Sequence, residues 1–220
     1  MEFSKIFDIM LKGTVETIYM TVVSTLFAAI LGLFLGVLLY ITGENNIKPN
    51  RILNSVLGWV VNIGRSIPFI ILMIVLMPLT TLIVKTKIGP NAAIVPLIIG
   101  SAPFVARLVE SSLAELDFDV IEAIEAMGAT KAQLIFKVMI PEAIPSLVRG
   151  LSITMITIVG YTAMAGVIGA GGLGDIAIRY GVHRYEYGMM ITTLILIVII
   201  VQLIQVIFNL IVNKIDKKII

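Results

Sequence analysis

Residues 119–141, DVIEAIEAMGATKAQLIFKVMIP, form the one long segment of this chain that is too polar to cross a membrane and too apolar to be disordered. Asp119 followed three residues later by Glu122 has the spacing of a capping box with Asp in the leading place, and Thr130 followed by Gln133 is a capping box proper, so two helix starts are marked. Gly128 lies between them, where a glycine closes the first helix in the left-handed conformation at little steric cost. Pro141 has no N–H and is expected to stop the second helix near Ile140. The spacing predicts a helix, a glycine turn and a helix, within an element of residues 115–143.

Everything around that element is apolar. The chain has 220 residues, of which 59% are hydrophobic and only 14% charged, and a mean hydropathy of +1.07. These values lie far outside the range of soluble domains and predict an all-α polytopic membrane protein, a single domain over residues 1–220. A span needs about 20 apolar residues, which leaves room for about five. A net charge of +2, spread over loops, gives no basic stripe, so no nucleic-acid partner is expected. With no cysteine, disulfides and thiolate chemistry are absent, and the single histidine, His183, gives no multi-histidine metal site.

Residues 1–13 place Phe3, Phe7 and Met10 among Glu2, Lys5, Asp8 and Lys12, the pattern of a short helix lying at the interface. Residues 15–41 are the first expected span, with Ala28, Gly32 and Gly36 as a stripe of small residues for close helix packing. A polar loop over 42–54 uses the turn formers Gly43, Asn45, Asn46 and Pro49. The second span, 55–84, carries two candidate kinks, Pro68 and Pro78, and one unusual residue, Arg65. Arg65 is expected to snorkel from near a membrane end or to form a structural pair, in preference to touching a solute. The third span, 92–113, holds Arg107 and Glu110 at i and i+3, placed to neutralise one another near its end.

Residues 144–169 make a fourth span of different composition, rich in Gly, Ala, Ser and Thr, which belongs in a bundle centre or at a subunit interface. Within it Gly150, Thr154, Thr157, Tyr161 and Met164 or Ala165 recur at three- and four-residue intervals and share one face, the expected lining of a solute pathway. Met164 reads equally as an apolar gate near a two-fold axis or as packing filler. GAGGLG at 169–174 lacks the βαβ context of a phosphate loop and reads as flexible or closely packed backbone. An aromatic, charged interfacial loop over 175–187 leads to the fifth span, 188–212, and a charged tail.

Five spans put the termini on opposite sides. One set of loops then holds Lys48, Arg51, Lys131, Lys137, Lys214, Lys217 and Lys218, and the other Lys5, Lys12, Lys85, Lys87, Arg179 and Arg184. With Arg65, Arg107 and Arg149 assigned to the first set, positive charge places that set in the cytoplasm, the C-terminus with it and the N-terminus outside.

No GxxxxGK[ST], HExxH or Ser/His/Asp set occurs, and Glu110 stands as the only acid well within an apolar segment, so the chain is expected not to be an enzyme. It binds no cofactor of its own in this reading, and its loops are too short for a solute-binding domain. A self-sufficient carrier or channel and a scaffolding subunit are the competing classes. The small-residue fourth span speaks against the scaffold, and the element at 115–143 against the channel.

Glu122, Ala123, Gly128 and the ending Val138-Met139-Ile140-Pro141 resemble the EAA loop of ABC importer permeases, with Ile124 where the family has its second alanine. RSIPFIIL at 65–72, GSAPFVARLVE at 100–110 and GYTAMAGVIGAGGLG at 160–174 resemble the methionine-importer permeases of that family, and the likeness covers nearly the whole chain. The resemblance implies a permease subunit of a binding-protein-dependent (type I) ABC importer in the cell inner, or plasma, membrane, forming the pathway for D- and L-methionine or, failing that, another amino acid or small solute. It implies a homodimer with two copies of an ABC ATPase that bind ATP and Mg, and a periplasmic or lipoprotein solute-binding protein. It also implies that the cytoplasmic loop, through Glu122, Ala123, Ala126, Met127 and Gly128, couples the permease to the ATPase.

Overall fold

A helix of 40 residues, α1 (Phe3–Thr42), opens the computed structural model, which describes residues 3–44 and 46–216. Glu2, Asn45, Lys217, Lys218 and the side chain of Phe3, all used in the sequence reading, lie outside the described residues. The expected interfacial helix is thus not a separate piece: it runs straight into the first span. No proline or cap interrupts residues 12–15, and Gly13 sits where a Cβ would stand 2.2 Å from Ile176 Cδ1, so its job is close approach rather than a break.

The second span is in three pieces. Helix α2 (Arg51–Ser66) starts at Asn50, whose side chain accepts the Leu53 N–H, and is followed by α3 (Phe69–Val75) and α4 (Met77–Val84). Between α2 and α3 the chain bends by 104°. Pro68 supplies the cause, because it cannot donate to the carbonyl of Gly64 and biases Ile67 to the extended conformation it shows. Lys85, with φ 63°, ends α4 in the left-handed region.

Helix α5 (Pro90–Ala114) passes through Pro96 and Pro103 without ending. It lies against α1 at the small stripe. A Cβ at Gly32 would stand 2.4 Å from Val105 Cβ and one at Gly36 2.5 Å from the Ala106 carbonyl, so only glycine permits this approach. Helix α6 (Phe118–Ala126) follows, then α7 (Lys131–Gln133), a π-helical stretch Leu134–Met139 and α8 (Ile140–Gly166), which together make one continuous helix. A short α9 (Gly172–Ile176) runs into a second π-helical stretch, Ala177–Val182, before α10 (Tyr187–Ile215). The stretch expected as an aromatic loop is therefore helical as far as Val182. Among the described residues four helices are long and apolar enough to span a membrane, and five crossings result if the bent α2–α3 pair is one.

The two ends of the bundle are fixed by specific bonds. At one end the Gly89 N–H donates to the Gly169 carbonyl (2.9 Å), the Tyr19 hydroxyl to Asn91 (2.9 Å), and the Gly172 and Leu173 N–H groups to Glu16 and Thr17 (2.8 Å each). At the other, Ser112 and Ser146 share a 2.9 Å hydrogen bond, Arg149 pairs with Asp216, Asn54 donates to the Leu39 carbonyl and Lys131 to that of Ile47. The start of α1 and the end of α10 thus lie at opposite ends.

Candidate functional site

The helix, glycine turn and helix form as the spacing predicts, but the first cap sits two residues earlier than expected. Asp117 caps α6 by accepting the Asp119 N–H (3.0 Å), and Asp119 falls inside the first turn, where its charge faces the positive end of the helix dipole. At the far end Gly128 has φ 87° and donates to the Glu125 carbonyl (2.9 Å), while Ala129 donates to that of Ile124 (3.4 Å). This pair of bonds is a Schellman closure, and it needs the left-handed residue that glycine supplies. Thr130 and Gln133 then form the reciprocal capping box.

Burial sorts the residues of α6 into two faces. Ile121 is buried and Ile124 half-buried against Leu134 and Met139, whereas Glu122, Ala123, Glu125, Ala126, Met127 and Gly128 are exposed. Met127 is 86% exposed and Phe136, one turn into the following helix, 68%. Two large apolar side chains are thus left uncovered beside the glycine turn. The isoleucine at 124 has a physical reason, since that position faces the bundle. Beneath α6 is a cavity of about 230 Å³ bounded by Tyr40, Asn46, Ile47, Ile121, Glu122 and Glu125 among others.

Pro141 does not end the second helix. The π-helical stretch before it shifts the bonding register, so that the Ile140 N–H donates to Ile135, five residues back. A wider turn makes room for the pyrrolidine ring, which in an α-helix would press on the carbonyl four residues earlier. The turn at Gly128 is thereby joined rigidly to α8, with no break in the helix until Gly166.

The face expected to line a pathway is divided. Thr154 is fully buried, its hydroxyl closed onto the Gly150 carbonyl at 2.9 Å, and Gly150 itself is buried near Leu108. Those two residues pack the interior, so the expected shared lining does not hold for Thr154. The open edge of α8 is rotated away from them and consists of Ile153, Thr157, Gly160 and Met164, with Val167 just past its end; Met164 is 48% exposed and nothing lies within 4 Å of a Cβ at Gly160. Tyr161 stands between the two faces, half-buried and stacked on Phe69 at 4.3 Å between ring centroids.

Arg107 and Glu110 pair as predicted, at 2.6 Å, and Arg107 also donates to Asn62 (2.9 Å), which ties α5 to α2. Gly64, the neighbour of Arg65, packs on Pro103, near the midpoint of α5, and Arg65 itself is exposed in the last turn of α2. An acid passed over in the sequence is Glu16. It lies inside the apolar run of α1 and accepts the Gly172 N–H, holding the glycine-rich turn; its spacing of four from Lys12, with which it pairs at 3.9 Å, is the signal that was available.

Residues 28–220 match the family model of the binding-protein-dependent transport system inner membrane component. The chain belongs to this family. Among relatives of the permease, the probable D-methionine transport system permease protein MetI of Vibrio cholerae is 48% identical over 96% of this chain and 94% of its own length. The methionine import system permease protein MetP of Bacillus subtilis is 49% identical over 94% of this chain and 93% of its own. A solved structure described as inward-facing conformations of the MetNI methionine ABC transporter superposes with a TM-score of 0.96 at 47% identity, covering 99% of this chain and 100% of that one. The permease fold therefore accounts for the whole chain, and an inner-membrane transport role accounts for its apolar helices and for the lack of any phosphate-binding loop.

Proposed function

We propose that this permease forms the translocation pathway of a methionine importer, taking both D- and L-methionine. Near-full-length likeness to a solved methionine ABC transporter, at 47% identity, carries the reading. The working assembly is a homodimer with two ATPase subunits, which hold ATP and Mg, and a separate solute-binding protein. The bundle end with the Gly128 turn and the C-terminal part of α10 faces the cytoplasm, and the N-terminus lies outside. The exposed face of Glu122, Ala123, Ala126, Met127 and Gly128 docks in a groove of the ATPase, with Phe136 beside it. Because the helix is unbroken from Lys131 to Gly166, a displacement at that dock is carried along its axis to Thr157, Tyr161 and Met164. The open edge of α8 faces the two-fold axis, where the two copies of Met164 approach one another.

The test is reconstitution of the complex with its ATPase and binding protein in proteoliposomes. ATP-dependent accumulation of radiolabelled L- and D-methionine is expected. Uptake of a different amino acid with no methionine uptake would leave the importer reading standing and remove the substrate.

A further inference from the structure

Arg65 lies in the last turn of α2, at the 104° bend, beside the contact of Gly64 with Pro103; its side chain is exposed, and among the described residues it makes no ion pair or hydrogen bond. An ionisable group within a segment that crosses a membrane is expected to face a partner, a water-filled cavity or a solute and not lipid. Arg107, one helix away, already has Glu110 and Asn62; Arg65 has neither.

Arg65 borders a cavity of about 140 Å³ whose walls include Gly64, Phe69, Gly100, Phe104 and Tyr161. A single water needs about 10–15 Å³ of such space, so the cavity holds several waters or part of a small organic molecule. Two kinds of surface meet there. Phe69 and Tyr161, stacked with an interplanar angle of 4°, give a flat aromatic wall of the sort that a thioether contacts favourably. Opposite in character is the end of α2, where Pro68 leaves the Gly64 carbonyl without its helical donor and the dipole is negative. A cation beside free carbonyls at a broken helix suits a zwitterion, and broken helices near the bilayer midplane are where carriers hold solutes.

We propose that Arg65, with the Phe69–Tyr161 wall, forms a solute subsite within each permease protomer, the guanidinium taking the carboxylate of the amino acid and the rings its apolar side chain. The subsite rests on the reading above as to substrate, and extends it by giving Arg65 a direct contact.

The experiment is equilibrium dialysis of radiolabelled L-methionine and of L-methioninol, which lacks the carboxylate, against the intact purified permease–ATPase complex. Wild-type complex is expected to bind methionine more tightly than methioninol. Arg65→Gln lowers methionine binding at least tenfold and leaves methioninol binding within about twofold, while Arg65→Lys keeps an intermediate affinity. Should Arg65→Gln not assemble, Gly100→Ala serves: its Cβ would stand 3.0 Å from Leu72 and 3.3 Å from Phe69, narrowing the cavity without touching the cation. It is expected to weaken methionine more than glycine. Equal loss for methionine and methioninol, undiminished methionine binding in Arg65→Gln, or no carboxylate preference in the wild type overturns the subsite. If wild-type proteoliposomes transport another amino acid instead, the substrate reading fails alone, and the same comparison is made with that amino acid and its alcohol.

Discussion

The helix that runs unbroken from Lys131 to Gly166 is bounded by glycine at both ends, and the two ends have opposite physics. At its start Gly128 has φ 87° and nothing within 4 Å of the place a Cβ would take. At its finish a Cβ on Gly166 would stand 2.2 Å from the Asp175 nitrogen, and one on Gly174 2.5 Å from the Ala163 backbone. The first glycine is required for its dihedral angle and leaves the surface free. The second pair is required for its lack of a side chain and locks α9 against α8. One end of the helix is free to meet another protein, and the other is anchored to the bundle, which is the arrangement a lever needs.

The comparison is broken most severely at the anchored end. Gly174→Ala forces a methyl group into backbone atoms that have no rotamer to change, so α9 must leave α8 and give up the bonds to Glu16 and Thr17. Overpacking of this kind costs about 1–3 kcal/mol where neighbours are flexible side chains, and more against backbone. Loss of the intact complex in size-exclusion chromatography is expected. A normally assembled Gly174→Ala complex with unchanged thermal stability would show that the tight approach is incidental.

Gly128→Val separates dihedral from packing. No neighbour is struck, so the bundle assembles, but a β-branched residue at positive φ costs about 1–3 kcal/mol and the turn relaxes away from its Schellman closure. ATP hydrolysis by the reconstituted complex is expected to continue at a rate no longer stimulated by the binding protein, with methionine uptake reduced at least tenfold. Retained stimulation and uptake would mean that the face of α6, and not the shape of its turn, carries the coupling.

Legibility in the sequence follows the range of the interactions. Gly128 and the Thr130–Gln133 box were readable because both are settled within five residues, and the pair Arg107–Glu110 because it lies on one turn. Asp117 was missed in favour of Asp119, since both stand at plausible caps and only the backbone angle, extended at Asp117, decides between them. Pro141 reads as a stop unless the π-helical turn ahead of it is known, and the residues Leu134–Met139 give no local sign of one. The face of α8 was placed slightly wrong for a similar reason: helical spacing gives which residues align, but the packing of α1, α5 and α10 around it decides that Thr154 turns in and Ile153 and Met164 turn out. The placing of the α2 end against α5 depends on Gly64 meeting Pro103, residues 39 positions apart in the sequence, and nothing near either one announces it.

The smallest effect sharpens the comparison most, because it asks what the free end of the lever moves. Met164 lies two residues short of the anchored end at Gly166, yet its side chain is 48% exposed, and a Cβ on Gly160, one turn before it, would meet nothing. Truncating a fully buried methionine costs about 2–5 kcal/mol, and a half-exposed one far less, so within a single chain Met164→Ala is nearly silent. Any clear phenotype must then come from contacts that the chain makes with its partner copy. As packing filler, the residue would be missed only as lower thermal stability of the dimer. As an apolar gate, its loss opens the resting pathway while the complex assembles normally, and ATP hydrolysis without the binding protein rises a few-fold together with passive leak of methionine from loaded proteoliposomes. A Met164→Ala complex that stays tight and keeps wild-type hydrolysis removes the gate and leaves the open edge of α8 as a dimer contact alone.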